Sequence, residues 1–270
     1  MRELKGKTAV VTGAGSGLGR AMALAFAREG MKLALADVDE KGLQEVASQV
    51  EGFAMKVDVS KEAEVRAFAE RVEDPFLVCN NAGVSPLGAV WESTPADWQW
   101  ILGVNLWGVI HGVRAFAPRL IARNAGHIVN TASVAGLISP PGSGAYNVTK
   151  HAVVALSETL YQDFRERNLK VGVSVLCPAY VPTGIIDSER SRPKHLPASE
   201  KSAETLKKET MMRKAVTSGR LSADDVARAV VAAVKEDRFY ILTHARIKGA
   251  IRARMEDILE ERAPRNPLAL

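Results

Sequence analysis

Tyr146 and Lys150 are the two residues of this sequence whose types and spacing most directly indicate chemistry. Side chains four positions apart lie on one face of a helix, so a helix here would bring the phenol and the ammonium together. A tyrosine with its ordinary pKa of about 10 is a poor base at neutral pH, but an ammonium within about 4–6 Å favours the phenolate. The pair therefore predicts a general acid/base, although this spacing alone also occurs by chance as an ordinary helix pair.

A glycine-rich segment, Thr12–Gly19, is the second candidate site, because it follows one strand-like run and opens a helix-like one. Glycines let the backbone approach a pyrophosphate, whose charge then meets the N–H groups of the helix. Alone, the segment could be a flexible turn, but Asp37 ends the next strand-like run. A carboxylate there accepts hydrogen bonds from the adenosine ribose hydroxyls and repels a 2′-phosphate, and Ser16 offers a phosphate no positive charge. Both features favour NAD over NADP, while Asp39, the rival acid, is expected to cap the next helix.

Short apolar, β-branched runs alternate along the chain with amphipathic, helix-like stretches. This alternation is typical of an α/β fold with a doubly wound parallel sheet of the Rossmann type, about seven strands with helices on both faces. The predicted strands are Thr8–Thr12, Lys32–Ala36, Phe53–Val57, Phe76–Cys79, His127–Thr131, Lys170–Cys177 and Phe239–Leu242. Because no linker, repeat or low-complexity segment interrupts the pattern, a single domain over residues 1–270 is expected.

Helix signals and two irregular stretches complete the prediction. Thr94 and Ser222 are each followed three residues later by an aspartate, and Thr94 also by a proline, a pattern typical of a helix start. Long helices are predicted over Pro95–Arg123 and Tyr146–Arg167. Residues 184–219, a charged stretch with prolines and a helical run (Glu200–Val216), are too long for a simple connection and predict a mobile lid. A C-terminal extension, about 245–270, is predicted to carry one more helix over Ile247–Glu261.

Composition excludes several classes of function. The formal charge of +5 comes from basic residues interleaved with acids, which is typical of solvated helices and argues against a nucleic-acid partner. No run of eighteen uncharged apolar residues exists, so no membrane partner is expected. Two cysteines and few histidines give no support to a metal site. With no secretory signal pattern at Met1, the protein is expected in the cytoplasm.

Taken together, these motifs resemble those of the short-chain dehydrogenase/reductase family, in its compact single-domain branch, from Lys5 to about Leu242. Thr12–Gly19 is similar to the family's T-G-x-x-x-G-x-G, and Asn80–Gly83 to its N-N-A-G. Pro178–Thr183 is similar to P-G-x-V-x-T, with Ala179 in place of the usual glycine. The match also includes single residues at family positions, namely Asp58, Asn105 and Ser133, together with Tyr146 and Lys150.

The resemblance implies a complete set of site residues. The implied catalytic residues are Asn105, Ser133, Tyr146 and Lys150. The implied cofactor-binding residues are Gly13, Gly15, Ser16, Gly17, Leu18, Gly19, Asp37, Asp58, Val59, Asn81, Ala82, Gly83, Tyr146, Lys150, Pro178, Val181 and Thr183.

In the mechanism that the resemblance implies for oxidation, Ser133 and Tyr146 hydrogen-bond the substrate hydroxyl, and Tyr146 takes its proton as hydride leaves for the nicotinamide. Lys150 lowers the pKa of the tyrosine, binds the nicotinamide ribose and passes the proton on through water near Asn105. The family topology also places Cys79 and Cys177 two strand spacings apart, too far for a disulfide.

The substrate is expected to be a secondary alcohol or ketone, of apolar character if the predicted pocket walls are correct. Those walls are Ser85–Leu87, Leu137, Ile138, Tyr180, Ile185, Ile186, Met211 and Met212. Arg190, Arg192 and Lys194 could instead meet an acidic group, which leaves open a 3-oxoacyl thioester reductase that uses NADPH. A non-catalytic dinucleotide-binding regulator is a third alternative. The two long helices are apolar on more than one face and pair across a two-fold axis in the family, so a homodimer or homotetramer is expected.

Overall fold

Apolar runs pair side by side as one parallel sheet in the computed structural model, which describes residues 3–269. Over these residues the strands are β1 (Thr8–Thr12), β2 (Lys32–Asp37), β3 (Gly52–Lys56), β4 (Pro75–Asn80), β5 (His127–Thr131), β6 (Gly172–Cys177) and β7 (Tyr240–Leu242). Their order is β3–β2–β1–β4–β5–β6–β7, and each neighbouring pair is parallel. The predicted Rossmann-type fold is confirmed.

Helices cover both faces of this sheet. They are α1 (Gly17–Arg28), α2 (Glu40–Ala47), α3 (Glu62–Arg71), α4 (Pro95–Leu102), α5 (Gly108–Ala122), α6 (Gly144–Glu166), α7 (Ala203–Thr217), α8 (Ala223–Glu236) and α9 (Ile247–Leu259). Because successive strand residues point to opposite faces, neighbours in β1 join different cores. Val11 lies in the core formed with Met22 of α1 and Val230 of α8. Val10 lies in the core formed with Phe116 of α5, on the other face.

The direction of the connections creates a crevice in the middle of the sheet. The chain leaves β1 toward β2 on one side and leaves β4 toward β5 on the other, while β1 and β4 are themselves neighbours. Parallel sheets of this kind bind ligands at such a point, outside the carboxyl ends of the strands. The glycine-rich turn after β1 and the Asn81 segment after β4 therefore meet at this crevice.

The helix predicted over Pro95–Arg123 is instead divided into α4, a π-helical turn at Gly103–Trp107, and α5. Asn105, in the middle of the π-turn, is fully buried, and its side chain bonds both the N–H and the C=O of Val84. A π-turn often marks a position where a side chain has a special task. The sequence pattern could not show it because Val84 lies 21 residues away.

Local start signals predicted other helices well. Thr94 and Ser222 are the N-caps of α4 and α8, each in a capping box with an aspartate three residues on, as predicted. The end of the last helix is less accurate, because α9 ends at Leu259 rather than Glu261.

The lid segment, residues 184–219, contains a 3-10 helix at Gly184–Ser191 followed by α7. Few of its residues are buried; in α7 these are Thr205 and Val216. Polar contacts attach it to the body: the Ser85 N–H donates to Ser188 Oγ (2.9 Å), and Thr205 Oγ1 donates to Glu92 Oε2 (2.6 Å). Within residues 3–269, no helix combines the length and the apolar character that a membrane crossing requires.

Candidate active site

A cavity of about 800 Å³ opens at the crevice between the carboxyl ends of β1 and β4. Most of the residues predicted for catalysis or cofactor binding line it. They are Gly13, Ser16, Gly17, Leu18, Asp37, Asp58, Val59, Asn81, Ala82, Gly83, Ser133, Tyr146, Lys150, Pro178, Val181 and Thr183. Three other predicted site residues, Gly15, Gly19 and Asn105, stand outside this lining and support the residues that form it.

Thr12 joins the glycine-rich turn to the segment after β4. Its Oγ1 accepts hydrogen bonds from the N–H groups of Asn81 (2.9 Å) and Ala82 (3.1 Å), and Asn81 Nδ2 donates to its carbonyl oxygen (3.0 Å). A Cβ on Gly19 would lie 1.9 Å from the carbonyl oxygen of Gly13, so only glycine allows α1 to start this close to the turn. The turn is therefore held by backbone contact on both sides.

Asp37, at the end of β2, faces the same cavity and supports the turn. Its Oδ2 accepts from the Gly15 N–H (2.8 Å) and its Oδ1 from the Asp39 N–H (2.9 Å). A carboxylate has about four acceptor positions, so two remain for other donors. Asp39 Oδ1 accepts from the Gly42 N–H (3.2 Å) and caps α2, as predicted.

Asp58 and Val59 form the wall beside Asp37. Asp58 Oδ1 accepts from the N–H (3.0 Å) and from the hydroxyl (2.6 Å) of Ser60, which fixes the carboxylate after β3. Val59 packs directly against α5, because a Cβ on Gly108 would lie 2.7 Å from Val59 Cγ2.

The proton-transfer residues converge at the other end of the cavity. Ser133 follows β5, and its Oγ accepts from the Ala135 N–H (3.2 Å). Tyr146 lies in the first turn of α6, hydrogen-bonded to Ser133, and Lys150 follows one turn later. Lys150 is 3% exposed, its Nζ donates to the carbonyl oxygen of Thr131 (2.9 Å), and it lies 5.6 Å from the centre of the Tyr146 ring.

Burial controls the titration of this pair. It lowers the pKa of Lys150 to about 8, because an ammonium without water is disfavoured. It also raises the pKa of Tyr146, and the hydrogen bond with Ser133, which acts in the opposite direction, is the weaker effect. The expected lowering of the Tyr146 pKa by Lys150 is therefore not found in this arrangement of protein groups.

Asn105 stands behind the pair rather than in the cavity. Its Oδ1 accepts from the Val84 N–H (2.8 Å), and its Nδ2 donates to the Val84 carbonyl oxygen (2.9 Å) and to Thr149 Oγ1 (3.2 Å). These bonds connect the π-turn to α6 one residue before Lys150. Both amide hydrogens are thus engaged by the protein, and a relay water near Asn105 stays a prediction.

Comparison with known proteins shows the family. The family model described as short chain dehydrogenase matches residues 7–194. The chain is 32% identical to a CLA biosynthesis dehydrogenase/reductase of Lactiplantibacillus plantarum over 98% of this chain and 97% of that protein. The chain belongs to the short chain dehydrogenase family. It is therefore an oxidoreductase of a family that binds nicotinamide dinucleotides and acts on small molecules.

Solved structures of the family agree with this fold. A short chain dehydrogenase/reductase from Burkholderia phymatum, in complex with NAD, is 50% identical, covers all of both chains and superposes with a TM-score of 0.96. A 3-ketoacyl-(acyl-carrier-protein) reductase from Brucella melitensis, complexed with NADH, is 28% identical over 88% of this chain and 96% of that chain, with a TM-score of 0.73.

The cavity fits a dinucleotide of the family's type. Ser16 is the N-cap of α1 but makes no side-chain cap hydrogen bond, so the N-terminal N–H groups of α1 remain for a phosphate. Gly17 has φ of 53°, a conformation that favours glycine, and a Cβ there would lie 3.3 Å from Thr183 Cβ. The turn can thus approach a diphosphate closely, with Asp37 and Asp58 beyond it.

Most of the predicted substrate walls lie outside the lining of this cavity. Of those residues, Ile185 lines the cavity, whereas Met211 on α7 is 64% exposed and Ile138 is buried. The remaining ones, Ser85, Pro86, Leu87, Leu137, Tyr180, Ile186 and Met212, are not in the lining. The lining also includes residues that were not predicted, among them Val84, Trp100, Val104, Ser188 and Val216.

Arg192 also lines the cavity, but its charge is already paired. Its Nη2 donates to Asp97 Oδ1 (2.8 Å), its Nε donates to Glu189 Oε2 (2.6 Å), and its guanidinium lies 4.2 Å from the Trp100 ring centre. Burial by itself would lower the pKa of Arg192, but the two carboxylates outweigh it and raise the pKa. This cluster connects the lid segment to α4, and no local signal could have revealed a pair 95 residues apart.

Proposed function

We propose that the chain is an NAD-dependent dehydrogenase that transfers hydride between NAD and an apolar secondary alcohol or ketone, with Tyr146 as general acid/base. The convergence of Ser133, Tyr146 and Lys150 in one cavity with the glycine-rich turn carries the proposal. A protein that only sensed dinucleotides would have no use for a base in contact with that cavity. The regulator is therefore the less supported alternative.

Each of the three residues Ser133, Tyr146 and Lys150 has its own role in the proposed reaction. Bound NAD supplies the hydride acceptor. Ser133 and Tyr146 orient the substrate oxygen by hydrogen bonds, and Tyr146 Oη takes the hydroxyl proton during oxidation. Lys150, with a pKa of about 8, is mostly charged at neutral pH and supports the developing phenolate. Because the Tyr146 pKa is raised, oxidation is expected to accelerate with increasing pH, and reduction with decreasing pH.

The decisive experiment combines a panel of secondary alcohols and ketones, assayed with NAD and NADP, with Tyr146→Phe. The variant keeps the ring, so we expect retained fold and NAD binding but a loss of turnover of about 10²–10⁴-fold or more. Turnover equal to that of the wild type with any good substrate would exclude Tyr146 as the base. Failure of the wild type to bind NAD would exclude the proposed function itself.

The preference for NAD rests on Asp37. Ribose hydroxyls can use its two remaining acceptor positions, whereas a 2′-phosphate would lose those bonds and meet a negative charge. We expect a preference for NAD over NADP of at least ~100-fold in kcat/KM, or about 2.7 kcal/mol. Asp37→Ser with Val38→Arg should reduce or invert it. Asp39→Ser is the matched control, since Asp39 caps α2, and a switch by Asp39→Ser alone would contradict this placement.

The apolar nature of the substrate is supported by the walls that face Tyr146. Trp100 and Val104 belong to one apolar cluster with Tyr146, Val216 also lines the cavity, and the positive charge of Arg192 is compensated by two carboxylates. An acidic substrate group would therefore find little unpaired charge at Arg192. A 3-oxoacyl thioester reductase is the second candidate, because one family structure of that kind contains NADH and Lys194 is exposed at the edge of the cavity.

A homodimer or homotetramer is proposed from the outer face of α5 and α6. A groove of about 380 Å³ between them is lined by Val113, Ala117, Ile121 and Leu160, together with charged residues at its edges. An apolar surface of this kind on two adjacent helices is typical of a face that packs on a second copy. Light scattering at micromolar concentration tests this, and a monomer would exclude it.

A further inference from the structure

Arg190 connects the lid segment to the glycine-rich turn. It lies in the 3-10 helix Gly184–Ser191, where its Nη1 donates to the carbonyl oxygens of Gly184 (2.7 Å) and Asp187 (2.9 Å). These two bonds fix the direction of the guanidinium. Its Nη2 then reaches Ser16 Oγ (3.4 Å), 174 residues away in sequence, and the side chain lines the cavity.

The charge of Arg190 is not compensated by a neighbouring acid. Over residues 3–269, no carboxylate forms an ion pair with it: the adjacent Glu189 pairs with Arg192 (2.6 Å), and Asp187 pairs with Arg213 (2.8 Å). Arg192, two residues further on, is in contrast held between Asp97 and Glu189. The lid segment thus presents to the same cavity one guanidinium that is paired with carboxylates and one that is not.

The position of this charge indicates which phosphate it would meet. Ser16 is the N-cap of α1, whose N-terminal N–H groups already favour an anion, so Arg190 adds a second positive group at the same place. A 2′-phosphate would instead lie toward the ribose, beside the Asp37 carboxylate that holds the Gly15 N–H. The diphosphate avoids that repulsion and meets both positive groups.

We propose that Arg190 binds the diphosphate of the dinucleotide from the lid side. This inference rests on the proposed function and adds a residue outside the motifs that indicated it. Position 16 itself is a serine, which offers a phosphate no positive charge, and the fold brings a cation there from the lid segment. Because Arg190 is part of the lid segment, cofactor binding and closure of that segment then share one contact.

Binding of NAD and ADP-ribose by calorimetry tests the proposal without any substrate. Arg190→Met should weaken both about tenfold, a loss typical of one exposed charge-assisted hydrogen bond, and should flatten the salt dependence of binding. Arg190→Lys keeps the charge and should recover part of the affinity. The matched control is Lys207→Met, which removes the same charge from an exposed position on α7 and should bind like the wild type.

The outcomes separate this inference from the function on which it rests. Wild-type binding of NAD with unchanged affinity in Arg190→Met would overturn the role of Arg190 and leave the proposed function intact. A loss confined to NADP and 2′-phospho-ADP-ribose would also overturn it, because Arg190 would then contact the 2′-phosphate. A wild type that binds neither NAD nor ADP-ribose would overturn both. Equal weakening in Lys207→Met would mean a general charge effect and would overturn the specific contact.

Discussion

The glycine-rich turn and the lid segment border the same cavity but are held by different kinds of contact. The turn is fixed by backbone packed on backbone, so closely that a Cβ on Gly19 would lie 1.9 Å from the Gly13 carbonyl oxygen. The lid segment is attached by side-chain links, such as Arg192 to Asp97, with little burial of α7. Backbone packing cannot adjust without strain, whereas polar links can open and close.

The two kinds of contact suit two different tasks, namely binding of the dinucleotide and closure over the substrate. The dinucleotide side needs one geometry for every reaction cycle, and the chain provides it with contacts that admit no additional atom. The lid segment is predicted to open and close on the substrate side, and its contacts can be broken one at a time. Variants in the turn are therefore expected to change stability and NAD binding, whereas variants in the lid segment should change local hydrogen exchange.

The largest effect is expected for Gly19→Ala. The added methyl overlaps the Gly13 carbonyl oxygen, so we expect a loss of about 3 kcal/mol in the free energy of unfolding and loss of NAD binding. Gly249→Ala in α9 is the control, because a Cβ there has no atom within 4 Å and should stabilise the helix by about 0.5–1 kcal/mol. Equal melting temperatures for the two variants would contradict the contact described for the turn.

Lys150→Met should give an inactive but more stable protein. A buried lysine whose pKa falls from 10.5 to about 8 destabilises the fold by about 3 kcal/mol below pH 8. Losing the bond to the Thr131 carbonyl oxygen offsets about 1 kcal/mol of the gain.

The pH dependence of this variant has a definite sign. Between pH 8 and 10.5 the unfolded wild-type chain binds more protons than the folded one, so the stability of the wild type rises with pH. The advantage of Lys150→Met should therefore be full at pH 7 and disappear by pH 10.5 in denaturant titrations. An advantage that grew above pH 8 would contradict the lowered pKa.

Arg192→Met should loosen the lid segment and leave the sheet intact. Removing the buried link to Asp97 should raise hydrogen exchange over residues 184–219 about tenfold, with unchanged protection in β1 and β4. Arg213→Met removes an exposed pair with Asp187 and should have a smaller effect. If both variants changed exchange in the lid segment to the same extent, or neither changed it, the burial of the Arg192 link would not matter.

Thr205→Val is expected to have the smallest effect. It removes the hydroxyl that bonds Glu92 and keeps the shape, so opening of α7 should become easier by about 1 kcal/mol, a several-fold increase in its exchange. Thr210→Val is matched to it, because that hydroxyl bonds the Leu206 carbonyl oxygen of its own helix and should change nothing between segments. A larger increase in the exchange of α7 for Thr210→Val than for Thr205→Val would contradict the role of the Thr205–Glu92 bond.

The sequence predicted what depends on local pattern. Strand β5 begins and ends as predicted, and Thr94 caps α4, because apolar runs and capping residues act on their neighbours. The π-turn was missed since it depends on Asn105 bonding Val84. The Tyr146 pKa was misjudged because burial, a property of the whole fold, raises it, and the group that acts against burial is Ser133 rather than Lys150. The positions of the substrate walls also depend on the whole fold: on α7, Val216 lines the cavity and Met211 does not. A single domain and a cytoplasmic location stay predictions.

The position of β1 in the middle of the sheet has a consequence for synthesis of the chain from its N-terminus. β1 can pair with β2 as soon as Asp37 has emerged, but its other edge stays open until β4 at Pro75–Asn80. The apolar face of α1 waits far longer, because Met22 and Phe26 pack with α8, which begins at Ala223. A nascent chain therefore exposes the open edge of β1 until β4 has emerged and the apolar face of α1 for most of its synthesis, and both features favour aggregation of an N-terminal fragment. The glycine-rich turn is made early, but the α1 helix that follows it is covered only after α8 has emerged.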